Sequence, residues 1–427
     1  MKHKNLKTIV FGVAALCLST PAISAGFQLS EYSVTNLGRA FNGAGVVGDD
    51  FSAIAFNPAG MSLRSNGMQA GMTLVMIKAD VAGQTVNGGV NPGEEGDISL
   101  RSWIPHFFAQ GQINDKMNFG LGVYAPYGLS TIYNENWFGR THALKSYIGV
   151  MDVAPALSYQ VTKQVTIGGS VFAERADAKL TNDLPNYVDL GVMQLPLGGY
   201  NKVEGDDWSY GYTLGVMYEP VKDTRFGLSY RSKVSHHLKG KQTVSGSNMV
   251  PTLFGMPMPF QNGSYVGRAK ITLPEYVLLS AYHRIDKIGL SASAKWTRWS
   301  RFDKLDIYSP NMMNGVSSTP EKWQNVWMLG VGMDYYHDDN WTFRLGVAFD
   351  ESPVKNAKYR TARIPDNDRW WASLGVSYAY ENVQIDLAYS HMFVKSSKTH
   401  NEASGSTLDA KYNMQANLIG LQAQYAF

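Results

Sequence analysis

Breaks in the pattern separate segments in which apolar residues recur at every second position. Short and long breaks alternate along the chain, and this alternation restricts the fold more than any other feature. The short breaks are rich in Asn, Asp, Gly and Pro, which favour tight turns, and lie at residues 113–116, 219–223, 285–287, 337–340 and 381–382. The long segments lie at 79–96, 181–206, 240–265, 305–320, 352–365 and 396–410. A transmembrane β-barrel has short periplasmic turns and long outer loops, whereas a β-sandwich has no reason to alternate in this way.

The C-terminal segment shows the two-residue period most clearly. One face carries Ile419, Leu421, Ala423, Tyr425 and Phe427, and the other carries Leu418, Gly420, Gln422, Gln424 and Ala426. An apolar face opposite a mostly polar or small one is typical of a barrel strand between lipid and lumen. Barrels of this class commonly end in an aromatic residue with a second aromatic two positions earlier, as Tyr425 and Phe427 do. We therefore expect the C-terminal strand to contact the barrel-assembly machinery.

The breaks divide the chain into about fourteen strands, an even number, as single-chain bacterial barrels require. Their approximate ranges are 66–78, 97–112, 116–127, 145–160, 164–180, 207–219, 223–239, 267–285, 288–304, 321–337, 340–351, 366–380, 383–395 and 411–427. The predicted fold is thus all-β, a transmembrane antiparallel barrel with both termini in the periplasm. Such a barrel is too wide for wall side chains to fill, so its lumen needs a plug.

The N-terminus predicts export. Its charged region contains Lys2, Lys4 and Lys7, an apolar run covers Thr8–Leu18, and small residues precede a cleavage site after Ser24 or, alternatively, Ala25. Cys17 lies inside this predicted signal peptide (residues 1–24), so the mature chain needs no disulfide. Without the three leader lysines, 35 basic and 35 acidic residues remain, and this balance argues against a nucleic-acid partner. With 24 Tyr, 10 Trp and 42 Gly, the composition favours an outer-membrane barrel over a secreted soluble β-protein.

The segment 25–65 reads as a plug, or hatch, ahead of a barrel domain at 66–427. It is rich in Gly and Ala, lacks the strand period, and ends near the turn Asn57-Pro58-Ala59. No other part of the chain is free to occupy the lumen. We expect Asn57, Pro58 and Ala59 to hold the hatch in a conformation that a ligand disturbs.

Two of the long segments are unexpectedly apolar. The 240–265 segment carries Leu253, Phe254, Met256, Met258 and Phe260, and the 181–206 segment carries Leu184, Tyr187, Val188, Leu190, Val192, Met193, Leu195 and Leu197. Because burial of one such side chain contributes roughly 1.5–3 kcal/mol, these residues should find a partner. The two loops either pack on each other or form an apolar groove that captures hydrophobic ligands, and the two interpretations are compatible.

The third predicted strand carries Pro126 and Gly128 near its outer end. Proline removes a hydrogen-bond donor from the sheet and glycine permits a bend. The pattern marks either the end of the strand or an inward kink that opens a window in the barrel wall.

The chain lacks the common hydrolase, metalloprotease and phosphate-loop motifs. The candidates for an embedded hydrolase or a metal site are His236, His237 and His391. A histidine at the position of His391 more often lies on the outer face near the membrane interface than in a catalytic site. We therefore expect no enzymatic activity, no cofactor and no metal.

Several motifs together resemble the FadL outer-membrane transporters of long-chain fatty acids and other hydrophobic compounds. They are Ala25-Gly26-Phe27-Gln28-Leu29-Ser30-Glu31, Leu37-Gly38-Arg39-Ala40, Asp49-Asp50, Asn57-Pro58-Ala59, Tyr127-Gly128-Leu129, Leu273-Pro274-Glu275, the segment 338–344, the segment 349–354 and the segment 364–369. The resemblance implies a fourteen-stranded barrel with an N-terminal hatch. It also implies ligand capture between the two apolar loops, an inner pocket gated by the hatch, and lateral exit through the third-strand kink without an energy source.

In the family, charged inner residues hold the ligand carboxylate, and by position Arg175, Glu321 and Asp350 match them. A family lysine just before Glu321 is absent, because Thr319 and Pro320 occupy that stretch. The expected ligands are thus long-chain fatty acids or, alternatively, neutral aromatic hydrocarbons. An adhesin or porin without selective transport is the alternative of another class. We expect a monomer in the bacterial outer membrane, in contact with its lipid and lipopolysaccharide.

Overall fold

The computed structural model describes residues 26–86, 93–189, 191, 193–403 and 405–427. The expected signal peptide and both candidate cleavage positions lie outside these ranges, as do Leu190 and Val192 of the apolar loop.

Fourteen antiparallel strands form one closed barrel. They are β1 (Gly67–Val86), β2 (Gly96–Asn114), β3 (Met117–Ile132), β4 (Lys145–Gln160), β5 (Val165–Asp183), β6 (Tyr200–Val221), β7 (Thr224–Arg231 and Val234–Ser245), β8 (Gly263–Leu273 and Tyr276–Ile285), β9 (Ile288–Thr297), β10 (Val326–Tyr336), β11 (Trp341–Asp350), β12 (Arg369–Tyr380), β13 (Val383–Val394) and β14 (Ser406–Ala426). β1 pairs with β2 on one side and with β14 on the other, from Gly67 opposite Ala426 to Val86 opposite Thr407, so the sheet closes.

The predicted strand number is confirmed, but the strands are longer than the sequence indicates at the end of the barrel away from Gly67 and Ala426, which we call the outer end. β1 continues to Val86, and the predicted loops 305–320 and 396–410 contain the strands Lys304–Tyr308, Val316–Pro320 and Ser397–Ala403. These extensions form hairpins whose backbone groups remain paired above the barrel. β8 is interrupted at Pro274, which has no N–H to donate.

The two faces of the barrel differ as the period predicts. On β14, Leu421 is 55% exposed toward the outside, whereas the neighbouring Gln422 is 1% exposed and faces the lumen. Exposed apolar side chains on a continuous outer face are suited to lipid. Trp208, Tyr210 and Trp370 are among the aromatic residues exposed on this face, as at a membrane interface.

The described part of the hatch, residues 26–65, lies inside the barrel and is almost entirely buried. It contains the short helices α1 (Val34–Gly38) and α2 (Ala53–Phe56) and a 3₁₀-helix at Pro58–Leu63. Within the described ranges, no helix has the length and apolar character needed to cross a membrane.

The hatch approaches the wall closely where the wall has no side chain. A Cβ atom at Gly346 would lie 2.1 Å from the Arg39 carbonyl oxygen, and one at Gly215 would lie 2.0 Å from Asn57 Oδ1. Any other residue at these luminal positions would push the hatch away from the strands.

Candidate functional site

The two apolar loops pack on each other at the outer end of the barrel. Each loop contains a small hairpin, Tyr187–Asp189 with Gln194–Pro196 in one and Thr252–Leu253 with Met256–Pro257 in the other. Their shared cluster contains Leu184, Leu195, Leu197, Val244 and Met249, with Val188, Leu253, Met258 and Phe260 packed against it. The structure thus shows that the two loops pack on each other, and a cavity lies beneath them.

This cavity, the outer groove, encloses about 1890 Å³ including space open to solvent. Its lining includes Leu184, Tyr187, Val188, Leu197 and Phe260 from the loops. Phe254 and Met256, in contrast, are 81% and 63% exposed at the hairpin tip and do not line it. Of the predicted loop residues, Phe260 faces the groove, while Leu195, Leu253 and Met258 support it.

An inner pocket lies next to the groove, and its volume of about 760 Å³ includes space open to its surroundings. Most of its lining is apolar and comes from Leu129, Ile148, Ala178, Leu238, Ala269, Ile271, Phe302 and Ile364. Leu180, Val203, Leu305, Ile307 and Arg363 line both the groove and the pocket. The two spaces therefore adjoin each other.

Phe27 of the hatch is part of the pocket wall and sits in a cage of aromatic rings. Its ring centroid lies 4.7 Å from that of Trp299, 5.7 Å from Phe302, 5.8 Å from Trp323 and 6.2 Å from Tyr127. Edge-to-face contacts of this kind stabilise one defined ring position. A molecule in the pocket would therefore touch the hatch at Phe27.

The same hatch segment is hydrogen-bonded to β3 at Pro126 and Gly128. Leu29 N donates to Pro126 O at 2.8 Å, and Gly128 N donates to Phe27 O at 2.8 Å. A β-bulge between Tyr124 and Tyr127 bends β3 here. The backbone groups that the bend releases are thus partly satisfied by the hatch.

The bend separates β3 from β2. Their pairing stops at Phe107 opposite Val123, and from Gly96 to His106 β2 has no described pairing with β3. A mostly apolar recess, the side opening, lies at this point, and its volume of about 1230 Å³ includes space open to solvent. Its lining includes Met72, Pro105, Phe107, Val123, Tyr124, Ala125, Met151 and Leu421.

A buried ionic cluster supports the bend from inside. Arg231 donates to Tyr124 Oη at 3.3 Å, to Asp152 at 2.7 Å and to Glu174 at 2.6 Å. His236 contacts the other Glu174 oxygen at 2.9 Å. Sequence reasoning missed this cluster, because its members come from four strands and share no motif.

The Asn57-Pro58-Ala59 turn fixes the hatch to β6 of the barrel wall. Asn57 Oδ1 accepts from Ala59 N at 3.2 Å and caps the 3₁₀-helix, while Asn57 Nδ2 donates to Val216 O at 3.1 Å. Pro58 begins the 3₁₀-helix, where its missing N–H is not needed.

Two arginines form a charged lock between hatch and barrel. Arg39 of the hatch lies 2.6 Å from Asp49 and 2.9 Å from Asp334 on β10. Arg344 on β11 contacts the same two carboxylates at 2.9 Å and 3.3 Å. Burial opposes ionisation of Asp49, but Arg39 and Arg344 outweigh it and hold the pKa of Asp49 well below its ordinary value. We call these four residues the hatch lock.

Comparison with known proteins identifies the chain. The sequence profile of the family described as outer membrane protein transport protein (OMPP1/FadL/TodX) matches residues 15–427. The chain belongs to this family. It is 30% identical to the long-chain fatty acid transport protein of Escherichia coli K12 over 455 aligned residues, which cover both proteins completely. It is 28% identical to outer membrane protein P1 of Haemophilus influenzae, over 99% of this chain and 100% of that protein.

Solved structures agree with this assignment. A Pseudomonas aeruginosa FadL homologue matches with a TM-score of 0.84 and 27% identity, over 94% of this chain and 99% of its own. The Pseudomonas putida toluene transporter TodX shares the fold with a TM-score of 0.70 and 18% identity, over 95% of this chain and 100% of its own. Membership in the FadL family confirms an outer-membrane barrel and a transport protein rather than an enzyme. Among the described residues, no group of three or more His, Cys, Asp or Glu is placed to hold a metal ion.

The structure does not bring together the three charged residues that the family resemblance indicated. Glu321 is buried in the inner pocket, where it accepts from Trp323 Nε1 at 3.2 Å. Asp350 lies outside the pocket lining and pairs with Arg369 at 3.6 Å.

Arg175 does not face the lumen, contrary to the expectation. The luminal residue is its neighbour Glu174, because even-numbered residues of β5 point inward and odd-numbered ones outward. Arg175 is instead on the outer face, 39% exposed, where it contacts Asp177 at 3.0 Å and Asp206 at 3.5 Å. A one-residue difference in alignment is enough to reverse the face of a strand residue.

The environment of Glu31 predicts that docking of the hatch depends on pH. Burial raises the pKa of its carboxyl from 4.5 to about 7, against opposing effects of the Ser30 N–H and the charge of Lys295. A released hatch would titrate near 4.5, so the docked form retains its proton over a range in which the released form loses it. Docking is therefore strongest below pH 4.5 and weakens as the pH rises toward 7, by roughly 3 kcal/mol in total.

Hydrogen exchange of hatch amides, corrected for the intrinsic pH dependence, measures this effect. We expect the opening equilibrium to shift toward release between pH 4.5 and pH 7 in the wild type. Glu31→Gln, which cannot ionise, should remove the dependence. An equal pH dependence in both proteins would contradict the assignment to Glu31.

Proposed function

We propose that this FadL-family protein is a passive transporter that takes up long-chain fatty acids or similar hydrophobic molecules through the outer membrane. The observation that supports it most is the adjacency of the outer groove and the inner pocket, with five shared lining residues. A hydrophobic ligand can pass between them without leaving an apolar environment. Flow then follows the concentration gradient of the ligand.

The hatch gates the exit in this proposal. A ligand that enters the pocket displaces Phe27 from its aromatic cage and thereby loosens the two hydrogen bonds to β3. The Asn57-Pro58-Ala59 turn keeps the later part of the hatch on β6, so the movement is confined to the segment around Phe27. Pro126 and Gly128 then border the route through the side opening into the membrane.

Similarity to relatives supports fatty acids as the first ligand class. The Escherichia coli relative is a long-chain fatty acid transport protein and is 30% identical over its full length. The alternative, neutral aromatic hydrocarbons, is supported by the mostly apolar pocket and by the fold shared with a toluene transporter.

Orientation and assembly are also proposals. β1 and β14 end together at Gly67 and Ala426, on the side of the short turns, so we place both termini in the periplasm. Tyr425 and Phe427 are 40% and 68% exposed and are available to the barrel-assembly machinery. The outer face contacts lipid and lipopolysaccharide, and one closed barrel is complete as a monomer.

A pair of loop variants tests whether the outer groove captures the ligand. Phe260→Ser removes an apolar side chain from the groove, so we expect binding of a fluorescent long-chain fatty acid to weaken on the order of tenfold. Phe254→Ser is the matched control, because Phe254 is exposed at the hairpin tip and should change binding less than twofold. Heat-modifiable mobility in electrophoresis checks that both barrels assemble. Unchanged binding by Phe260→Ser would rule out the groove as the capture site.

A further inference from the structure

One cation lies where the two cavities meet. Arg363 is on the loop between β11 and β12 and lines both the outer groove and the inner pocket. Its guanidinium donates to Ser146 Oγ at 3.1 Å, to Thr181 O at 3.4 Å and to Asn182 Oδ1 at 3.3 Å. All three partners are neutral. Among the described residues, no carboxylate lies within ion-pair distance of Arg363, in contrast to Arg39, Arg231 and Arg369.

The outer end of β3 holds this loop in position. Thr131 Oγ1 donates to Arg363 O at 2.9 Å, and Tyr133 Oη donates to Ala362 O at 2.6 Å. The backbone of Arg363 is therefore tied to the strand that carries the bend. Only the side chain is left to respond to a ligand.

The nearest acid in the pocket does not neutralise this cation. Burial raises the pKa of Glu321 to about 8, against the lowering effects of the Trp323 N–H and of Arg363. Glu321 is thus mostly uncharged at pH 7 and keeps a proton that it can donate. Burial also lowers the pKa of Arg363 to about 10, which still leaves the guanidinium charged at neutral pH.

A partly buried cation without a counter-ion is costly, and an arriving carboxylate would remove that cost. The planar guanidinium suits a carboxylate, which accepts two parallel N–H bonds. The apolar lining around Arg363 suits an alkyl chain. A molecule with one anionic head and a long apolar tail satisfies both parts of the site at once.

We propose that Arg363 is the carboxylate receptor of this transporter and selects ionised long-chain fatty acids over neutral hydrophobic molecules of the same length. The inference rests on the proposed function and specifies its ligand class. It assigns to a loop residue the role that the resemblance gave to Arg175, Glu321 and Asp350. The missing family lysine before Glu321 is then replaced by a charge from a different part of the chain.

A pair of ligands that differ only in the head group provides the test. Palmitate and hexadecanol have tails of equal length, and their affinities are measured by competition against a fluorescent fatty acid on detergent-solubilised protein. For Arg363→Met we expect palmitate to bind on the order of tenfold to a hundredfold more weakly. Hexadecanol should change less than twofold, because methionine retains the apolar part of the side chain.

Two further variants refine the result. Arg363→Lys keeps the charge but loses the planar fork, so we expect an intermediate loss for palmitate. Arg175→Met is the matched control on the outer face and should leave both affinities unchanged. If Arg363→Met fails to assemble, Arg363→Gln keeps hydrogen-bond donors at this position without charge and carries the same expectation.

Each outcome decides a different question. An equal loss for palmitate and hexadecanol, or no loss for palmitate, would overturn the carboxylate role of Arg363. If the wild type binds and transports both ligands without dependence on Arg363, the proposed function stands and this inference fails. If the wild type binds neither ligand, the proposed function itself fails.

Discussion

Deletion of Pro126 is expected to abolish uptake while leaving a closed, assembled barrel. On β3, Tyr124 lies opposite Asp152 and Tyr127 lies opposite Val150, so two residues of β3 face one residue of β4. Removing one of these two β3 residues eliminates the bulge and restores the regular alternation of side chains between the two faces of the strand. Every flanking side chain keeps its face, since Tyr124 and Tyr127 would both still point inward.

A straightened β3 can continue its pairing with β2 above Phe107 and close the side opening. Each new backbone hydrogen bond is favourable in lipid, where an unpaired group costs several kcal/mol. Fatty-acid uptake by whole cells should then fall at least tenfold, roughly the effect of a barrier more than 1.4 kcal/mol higher. Binding at the outer groove, measured on purified protein, should persist.

Pro126→Ala is the matched control for this deletion. It keeps the number of residues and therefore the bulge, and it keeps the carbonyl that accepts from Leu29 N. Uptake by this variant should stay within about twofold of the wild type, a difference of less than 0.5 kcal/mol. Normal uptake after deletion of Pro126 would exclude the side opening as the exit.

Substitution of Asp334 by Asn is expected to release the hatch. Arg39 and Arg344 share Asp334 and Asp49, and without Asp334 two buried guanidinium groups face one carboxylate. Loss of one partner from a buried ion pair typically costs about 3–5 kcal/mol. Arg39 belongs to the hatch and Arg344 to the wall. Much of this cost therefore lowers the free energy that holds the hatch in the barrel.

Conductance in planar bilayers measures the release. We expect the wild type to conduct small ions poorly and Asp334→Asn to show frequent open events through the lumen. Asp339→Asn changes an exposed residue of the neighbouring turn and should behave like the wild type. Equal conductance of all three proteins would show that the hatch lock does not hold the plug.

The general architecture could be predicted because it depends on local patterns. The two-residue period and the spacing of turns determine strand number, and Tyr425 and Leu421 lie on the outer face as expected. Pro126 predicted a defect because a proline cannot donate to a sheet. Whether that defect opens the wall depended on β2, whose sequence gives no sign that its pairing with β3 stops at Phe107.

The charged residues were harder to place because they act across large sequence separations. Arg231 pairs with Asp152 and Glu174, which lie 79 and 57 residues away along the chain. Arg363 lies in a loop, where no strand periodicity applies. Its importance follows only from its position where two cavities meet, which the sequence does not reveal. Phe254 and Met256 were predicted from hydrophobicity alone, which does not distinguish the tip of a hairpin from its packed side.

The parting of β2 and β3 has a consequence for biogenesis. A closed barrel hides all its strand edges, but here β2 has no described partner on the β3 side from Gly96 to His106, and unpaired edges invite strands from other chains. The hatch covers part of it, because Gln28 forms an antiparallel β-bridge with Tyr127. If the barrel closed before its N-terminal segment reached β3, the unpaired strand edge would be accessible to neighbouring polypeptides. We therefore expect correct timing during membrane insertion to help protect this protein from aggregation.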